Sequence, residues 1–87
     1  MRIDLLLHRI RLTKSRTSAQ SLVDTGYIRI DGRRIEKPSE QVHAGSVIAL
    51  PLHGEVRILR ILALPPRRGP PPEARACHEE LEPDAGN

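Results

Sequence analysis

Apolar residues near the start of this chain recur at helical spacing. Ile3, Leu6, Leu7 and Ile10 stand at i, i+3, i+4 and i+7, which puts four aliphatic side chains on one helix face. Asp4 falls in the first turn and Arg9 and Arg11 near the end, the charge order a helix dipole favours, while Leu5 lies on the opposite face and breaks the pattern. A second helix is predicted from about Arg16 to Thr25, with Ser15 as N-cap, Gly26 as left-handed stop, and Ala19, Leu22 and Val23 as its buried stripe. From Ile28 the period changes to two. Ile28 and Ile30 alternate with Arg29, Asp31-Gly32 is a hairpin turn, and Arg33-Arg34-Ile35 returns. Lys37-Pro38-Ser39 breaks the strand and His43-Ala44-Gly45 turns. Val47–Leu50 reads as a buried strand, Leu52–Glu55 as a turn and Val56–Leu64 as the last strand. Arg57 and Arg60 have opposite parity in that strand, so it holds either a bulge or an arginine directed partly inward. Five prolines and Gly69 in residues 65–72 form a connector too donor-poor for helix or strand. Ala74, Cys77 and Leu81 then sit at i, i+3 and i+7, predicting a short C-terminal helix over 73–81. The expected fold class is α+β: two short packed helices and a small, mainly antiparallel sheet in residues 1–64. The connector 65–72, the helix 73–81 and a disordered acidic tail 82–87 follow.

Composition narrows the function. The 87 residues include no Trp or Phe and one Tyr, so the core is built from Leu, Ile and Val. A domain of this size buries a modest core, which leaves little volume for a deep substrate pocket; an independent catalytic domain is not expected. The net charge of +3 is unevenly spread: residues 1–37 carry nine Lys/Arg against four Asp/Glu, and residues 69–87 one against five. A basic body suggests a polyanionic partner, nucleic acid before an anionic membrane surface. The single cysteine, Cys77, excludes an intramolecular disulfide and suits a reducing cytoplasm. Leu5–Leu7, broken by His8 and Arg9, is too short for a signal-peptide core or a membrane span. His8, His43, His53 and His78 have no paired metal-ligand spacing, Ser15, Ser18 and Ser21 no evident base, and no phosphate-loop motif occurs, so neither cofactor nor metal is expected.

The cations are placed more tellingly than they are counted. Lys14 and Arg16 flank the cap of the second helix, where free N–H groups and the helix dipole favour an anion. Arg11 is close in sequence, Arg2 approaches from the other end of the first helix, and the hairpin adds Arg29, Arg33 and Arg34. Thr17 faces outward in the first turn beside them. These residues form one face if the hairpin packs beside the helix pair. The competing reading is that each is a solvated surface charge.

The order of these features resembles the S4-type RNA-binding domain. The resemblance rests on Arg2-Ile3-Asp4, Arg11-Leu12-Thr13-Lys14-Ser15-Arg16, Ala19-Gln20-Ser21-Leu22-Val23, Gly26, Asp31-Gly32, Lys37-Pro38-Ser39 and Val42 with Gly45. Arg67-Arg68-Gly69-Pro70, Glu73-Ala74 and Glu79-Glu80 are similar to the segment that follows the sheet in the bacterial 15-kDa heat shock and ribosome quality-control subfamily. The resemblance implies two antiparallel helices and a small sheet that present an RNA-binding face. It implies a non-catalytic role on ribosomal RNA of dissociated large subunits that still hold peptidyl-tRNA, in rescue or quality control of stalled translation. Carried over by position, Arg2, Arg11, Lys14, Ser15 and Arg16 match the family's RNA-contacting motif. Leu5 stands where the family has lysine, Leu6 and His8 where aromatics are common, Asp31 where asparagine is usual, and His78 in place of a later aromatic.

The resulting expectation is a cytoplasmic protein, monomeric off the ribosome, that grips structured RNA through Arg2, Arg11, Lys14, Ser15, Arg16, Thr17, Arg33 and Arg34. Arg16→Glu is expected to weaken RNA binding and leave folding intact. Two alternatives stand beside it: a detached RNA-binding accessory subunit of an RNA-modifying enzyme, and a small DNA-binding helix-turn-helix protein. The last is disfavoured because Thr17, Gln20, Ser21 and Asp24 offer the major groove no basic recognition surface.

Overall fold

A computed structural model describes residues 1–82. Two helices come first, α1 (Ile3–Arg9) and α2 (Arg16–Asp24). The Ser15 side chain accepts a hydrogen bond from the Ser18 N–H at 3.0 Å and caps α2 as predicted. The chain leaves α2 through Gly26 at φ +79°, where a side chain is strained. A short hairpin follows, β1 (Arg29–Ile30) and β2 (Arg33–Arg34), turning at Asp31 and Gly32 with φ of 52° and 81°. Both central residues have positive φ, as a tight primed turn requires. The longer strands β3 (Val47–Leu52) and β4 (Glu55–Ile61) come next, then α3 (Pro71–Ala76) and β5 (His78–Leu81).

The five strands form one antiparallel sheet in the order β2-β1-β3-β4-β5. Its inner face buries Ile30, Ile48, Leu50, Leu59 and Ile61 against Ile3, Leu6, Leu7 and Ile10 of the first helical segment and Ala19 and Val23 of α2. The two periodicities single out Ile3, Leu6, Leu7, Ile10, Ala19, Val23 and Ile30, and the others fall within the expected strands. Leu22 is only partly buried. β3 and β4 pair in unbroken register from Val47↔Arg60 to Leu52↔Glu55. No bulge therefore intervenes, and of the two possibilities for β4 the inward arginine holds. Arg57 shares the face of Leu59 and Ile61 and is paired there with Glu80.

The C-terminal segment corrects the sequence expectation. The helix begins earlier and is shorter than 73–81, with Pro71 and Pro72 in its first turn, where a missing N–H costs nothing. Residues 78–81 are not helical; they add an edge strand in register Ile58↔Leu81 to Ile61↔His78. The reason is the open edge of β4. Once the chain reaches it, ladder hydrogen bonds and two cross-strand ion pairs, Arg57–Glu80 and Arg60–Glu79, outweigh one turn of marginal helix. The last predicted strand likewise stops at Ile61 rather than Leu64. The expected acidic tail lies, beyond Glu82, outside the described residues.

The connector is held down by arginine-to-carbonyl hydrogen bonds. Arg9 donates to the Pro65 carbonyl at 3.0 Å, Arg11 to Gly69 at 2.6 Å, and Arg68 back to His8 at 3.1 Å. Proline-rich backbone has free acceptors and few donors; Arg9 and Arg11 at the end of α1 supply two donors, and the Arg68 side chain of the connector supplies the third. Among the described residues, no helix is long and apolar enough to cross a membrane.

Candidate nucleic-acid interface

The site is organised by a residue that sequence reasoning read as a helix-dipole charge and as part of the Arg2-Ile3-Asp4 run, without a role of its own in the site. Asp4, in the first turn of α1, is fully buried and accepts five hydrogen bonds. Arg2 donates through two nitrogens at 3.1 Å each, the Leu5 N–H at 2.8 Å, the Gln20 amide at 3.0 Å and Arg16 at 3.3 Å. Burial alone would raise its pKa. The hydrogen bonds from Gln20, Arg2, the Leu5 backbone and Arg16 outweigh that and hold the carboxyl below its ordinary value. Asp4 is therefore a buried anion clamping two arginines whose side chains remain 42% and 44% exposed. It fixes the start of α1 against the start of α2 and presents both guanidinium groups to solvent.

The loop after the hairpin completes this corner. Arg2 bridges to Gln41, the Ile3 N–H donates to the Glu40 carbonyl at 2.8 Å, and Arg33 pairs with the Glu40 carboxylate at 3.4 Å. Arg2 and Arg16 are thus joined through Asp4, and Arg33 is linked to them through the Glu40 carboxylate and the 40–41 backbone. Lys14 and Thr17 lie exposed on either side of Arg16 in the chain, and Lys14 forms no ion pair or hydrogen bond among the described residues. Ser15 spends its hydroxyl on the cap, so its side chain orients α2 rather than offering a free donor. An open groove of about 600 Å³ runs beside the corner, lined in part by Arg33, Lys37, Gln41 and His43.

Two expected site residues stand apart. Arg11 sits beyond the far end of α1, with φ of 65°, and reaches the connector at Gly69. Arg34 lies at the other end of α2. A Cβ on Gly26 would come within 2.8 Å of its guanidinium, which also pairs loosely with Glu36 at 3.8 Å. Of the expected residues, Arg2 and Arg16 meet on Asp4, Lys14 and Thr17 flank Arg16 in the chain, Arg33 is tied to Glu40, and Arg11 and Arg34 make their contacts with Gly69 and Glu36. Arg29 turns to its own hairpin and meets the Gly32 carbonyl at 3.4 Å. Sequence reasoning missed Asp4 and Gln20 as the organising pair and Lys37 as a groove residue. The i, i+16 relation of Asp4 and Gln20 becomes visible only when the helices pack.

The structure also revises the Arg16→Glu expectation, because a carboxylate there faces buried Asp4. That variant is expected to perturb folding as well as any RNA binding.

Comparison with known proteins supplies the family. The S4 domain model matches residues 1–48. The small ribosomal subunit protein uS4 of Lacticaseibacillus casei is 47% identical over 49 residues, 56% of this chain and 24% of that protein. The same protein from Listeria monocytogenes is 41% identical over an equal span. The chain thus spans about a quarter of the length of these curated relatives. A trimeric structure of Vibrio cholerae heat shock protein 15 superposes with a TM-score of 0.86 at 28% identity, covering 93% of this chain and 81% of that one. The segment matched by the family model contains both helices, the hairpin and the Asp4-centred cations, and the chain belongs to the S4 domain family.

Proposed function

We propose that this chain is a non-catalytic RNA-binding protein that engages structured ribosomal RNA. The observation that carries the reading is the clamp at Asp4: a buried carboxylate holds Arg2 and Arg16 half-exposed, while Lys14, two residues before Arg16, is unpaired among the described residues. Guanidinium groups fixed in advance lose little entropy on meeting phosphate, and planar forks suit phosphate oxygens. With no Trp or Phe in the chain, shape and phosphate recognition outweigh base stacking on aromatics.

The finer reading places the protein on the large ribosomal subunit, with peptidyl-tRNA nearby, in rescue or quality control of stalled translation. The likeness to Vibrio cholerae heat shock protein 15 extends over almost the whole chain, whereas the uS4 likeness covers 49 residues; this supports a role like that of the heat shock protein over one like that of uS4. Crosslinking in cells followed by sequencing of bound RNA tests it. Enrichment of large-subunit ribosomal RNA is expected, and reads spread evenly over all transcripts contradict the ribosome assignment. The protein is proposed to be monomeric off the ribosome. Sedimentation at micromolar protein checks this, and a trimer, as in the Vibrio structure, would overturn it.

A further inference from the structure

A second groove, of about 480 Å³, lies between the end of α1, α3 and the β4–β5 edge. Its floor is apolar, formed by Ile10, Leu12 and Ala74. Arg11, Arg57 and Arg75 border it. Arg57 is committed to Glu80, which also lines the groove, but Arg75 has no partner among the described residues, and Arg11 donates only its Nε, to Gly69. His78 stands at the same wall. Its Nδ1 is shut off from solvent and has no hydrogen-bond partner among the described residues. Burial, then the positive charge of Arg57, lower its pKa against the opposing pull of Glu80, so the ring is neutral at neutral pH. The groove therefore offers an apolar floor, two uncommitted guanidinium ends and a neutral imidazole. A ligand with a flat, weakly polar body and an anionic end matches all three. Its volume lies within the ordinary range of small-molecule sites.

We propose that this groove takes a single nucleotide splayed out of the bound RNA, with its base over Ile10, Leu12 and Ala74 and its phosphate on Arg11 and Arg75. The RNA origin of that nucleotide rests on the function proposed above; the groove's affinity for a nucleotide does not. Proteins that recognise RNA by sequence commonly read bases that have left the stack. The assignment also gives Arg11 a role beyond its hydrogen bond to the Gly69 carbonyl.

The test is a nuclear magnetic resonance titration of the isotope-labelled full chain with 5′-AMP, adenosine and inorganic phosphate in turn. 5′-AMP is expected to shift the His78 ring and the Leu12 and Ala74 amides saturably, with adenosine and phosphate each at least about tenfold weaker. Arg75→Glu and Arg75→Gln, both at an exposed position on α3, should each weaken 5′-AMP binding about tenfold or more. Three results overturn the proposal: no saturable shift at these residues, phosphate binding as tightly as 5′-AMP, or both Arg75 variants binding like the parent. Gel-shift binding of a structured ribosomal RNA fragment by the same sample separates the two claims. RNA binding without a nucleotide shift rejects the groove alone, and a nucleotide shift without RNA binding rejects the RNA origin alone.

Discussion

Asp4→Asn puts the organising role of the buried carboxylate to a severe test, because two opposite outcomes for RNA affinity follow from two accounts of it. Asparagine is nearly isosteric, but it offers one acceptor oxygen and turns an N–H₂ group toward the guanidiniums. Of the five donors that converge on Asp4, at most two or three keep a partner. A hydrogen bond to a charged group contributes about 1.5–3 kcal/mol, but Arg2 and Arg16 are 42% and 44% exposed and recover much of their solvation in water. The Leu5 N–H and the Gln20 amide, held at the helix junction, recover less. The net cost is about 2–4 kcal/mol, which for a domain of this size lowers Tm by roughly 10 °C or more. The assay is thermal unfolding followed by circular dichroism, paired with RNA affinity measured well below the variant's Tm. If Asp4 merely neutralises nearby cations, removing its charge tightens RNA binding. If it orients Arg2 and Arg16, binding weakens although net charge rises by one. A Tm within about 2 °C of the parent, or tighter RNA binding by the folded variant, refutes the reasoning.

Lys14→Glu should weaken RNA binding about tenfold or more with little change in Tm, whereas Arg16→Glu should lower both; equal Tm values for the two variants would contradict the Arg16–Asp4 contact. Asp4 has a folded-state pKa below its ordinary value of 3.8, so its contribution is complete above that pH and is lost as pH falls through the folded value; unfolding by guanidinium across this window should show a steeper acid decline in the parent than in Asp4→Asn. His78 is lowered from 6.5, so the protein also loses stability as pH falls below about 6.5, a slope that His78→Gln should flatten in the same assay. Gly26→Ala forces a Cβ into a left-handed position against the Arg34 guanidinium and should cost about 1 kcal/mol, read as a drop in Tm of several degrees.

Much of this fold is written in local pattern. The helical spacing of Ile3, Leu6, Leu7 and Ile10, the Ser15 cap, the Gly26 stop and the Asp31-Gly32 turn each act within a few residues, and each is found where the pattern places it. What failed was non-local. Cys77 and Leu81 match a helical period, but whether residues 78–81 coil or extend is decided by the unpaired edge of β4, twenty residues upstream. The same limit applies to the candidate site. The cations flanking the α2 cap could be picked out because a helix start explains them. Which of them converge depends on a buried carboxylate whose partners lie two, twelve and sixteen residues away. Arg11 and Arg34 look equivalent to Arg16 in sequence, and only the packing of the connector and of the α2 terminus separates them.

The central claim, that the Asp4-centred corner grips RNA phosphates, is tested most directly by the salt dependence of binding to a structured ribosomal RNA fragment. With about four phosphate contacts, log Kobs should fall against log salt with a slope near −3 for the parent. Lys14→Gln should reduce that slope by about 0.7–0.9, the share of one contact, while Arg60→Gln, whose parent side chain is already paired with Glu79 on the sheet, should leave it unchanged. A flat salt dependence, or an equal loss of slope in both variants, would contradict the account.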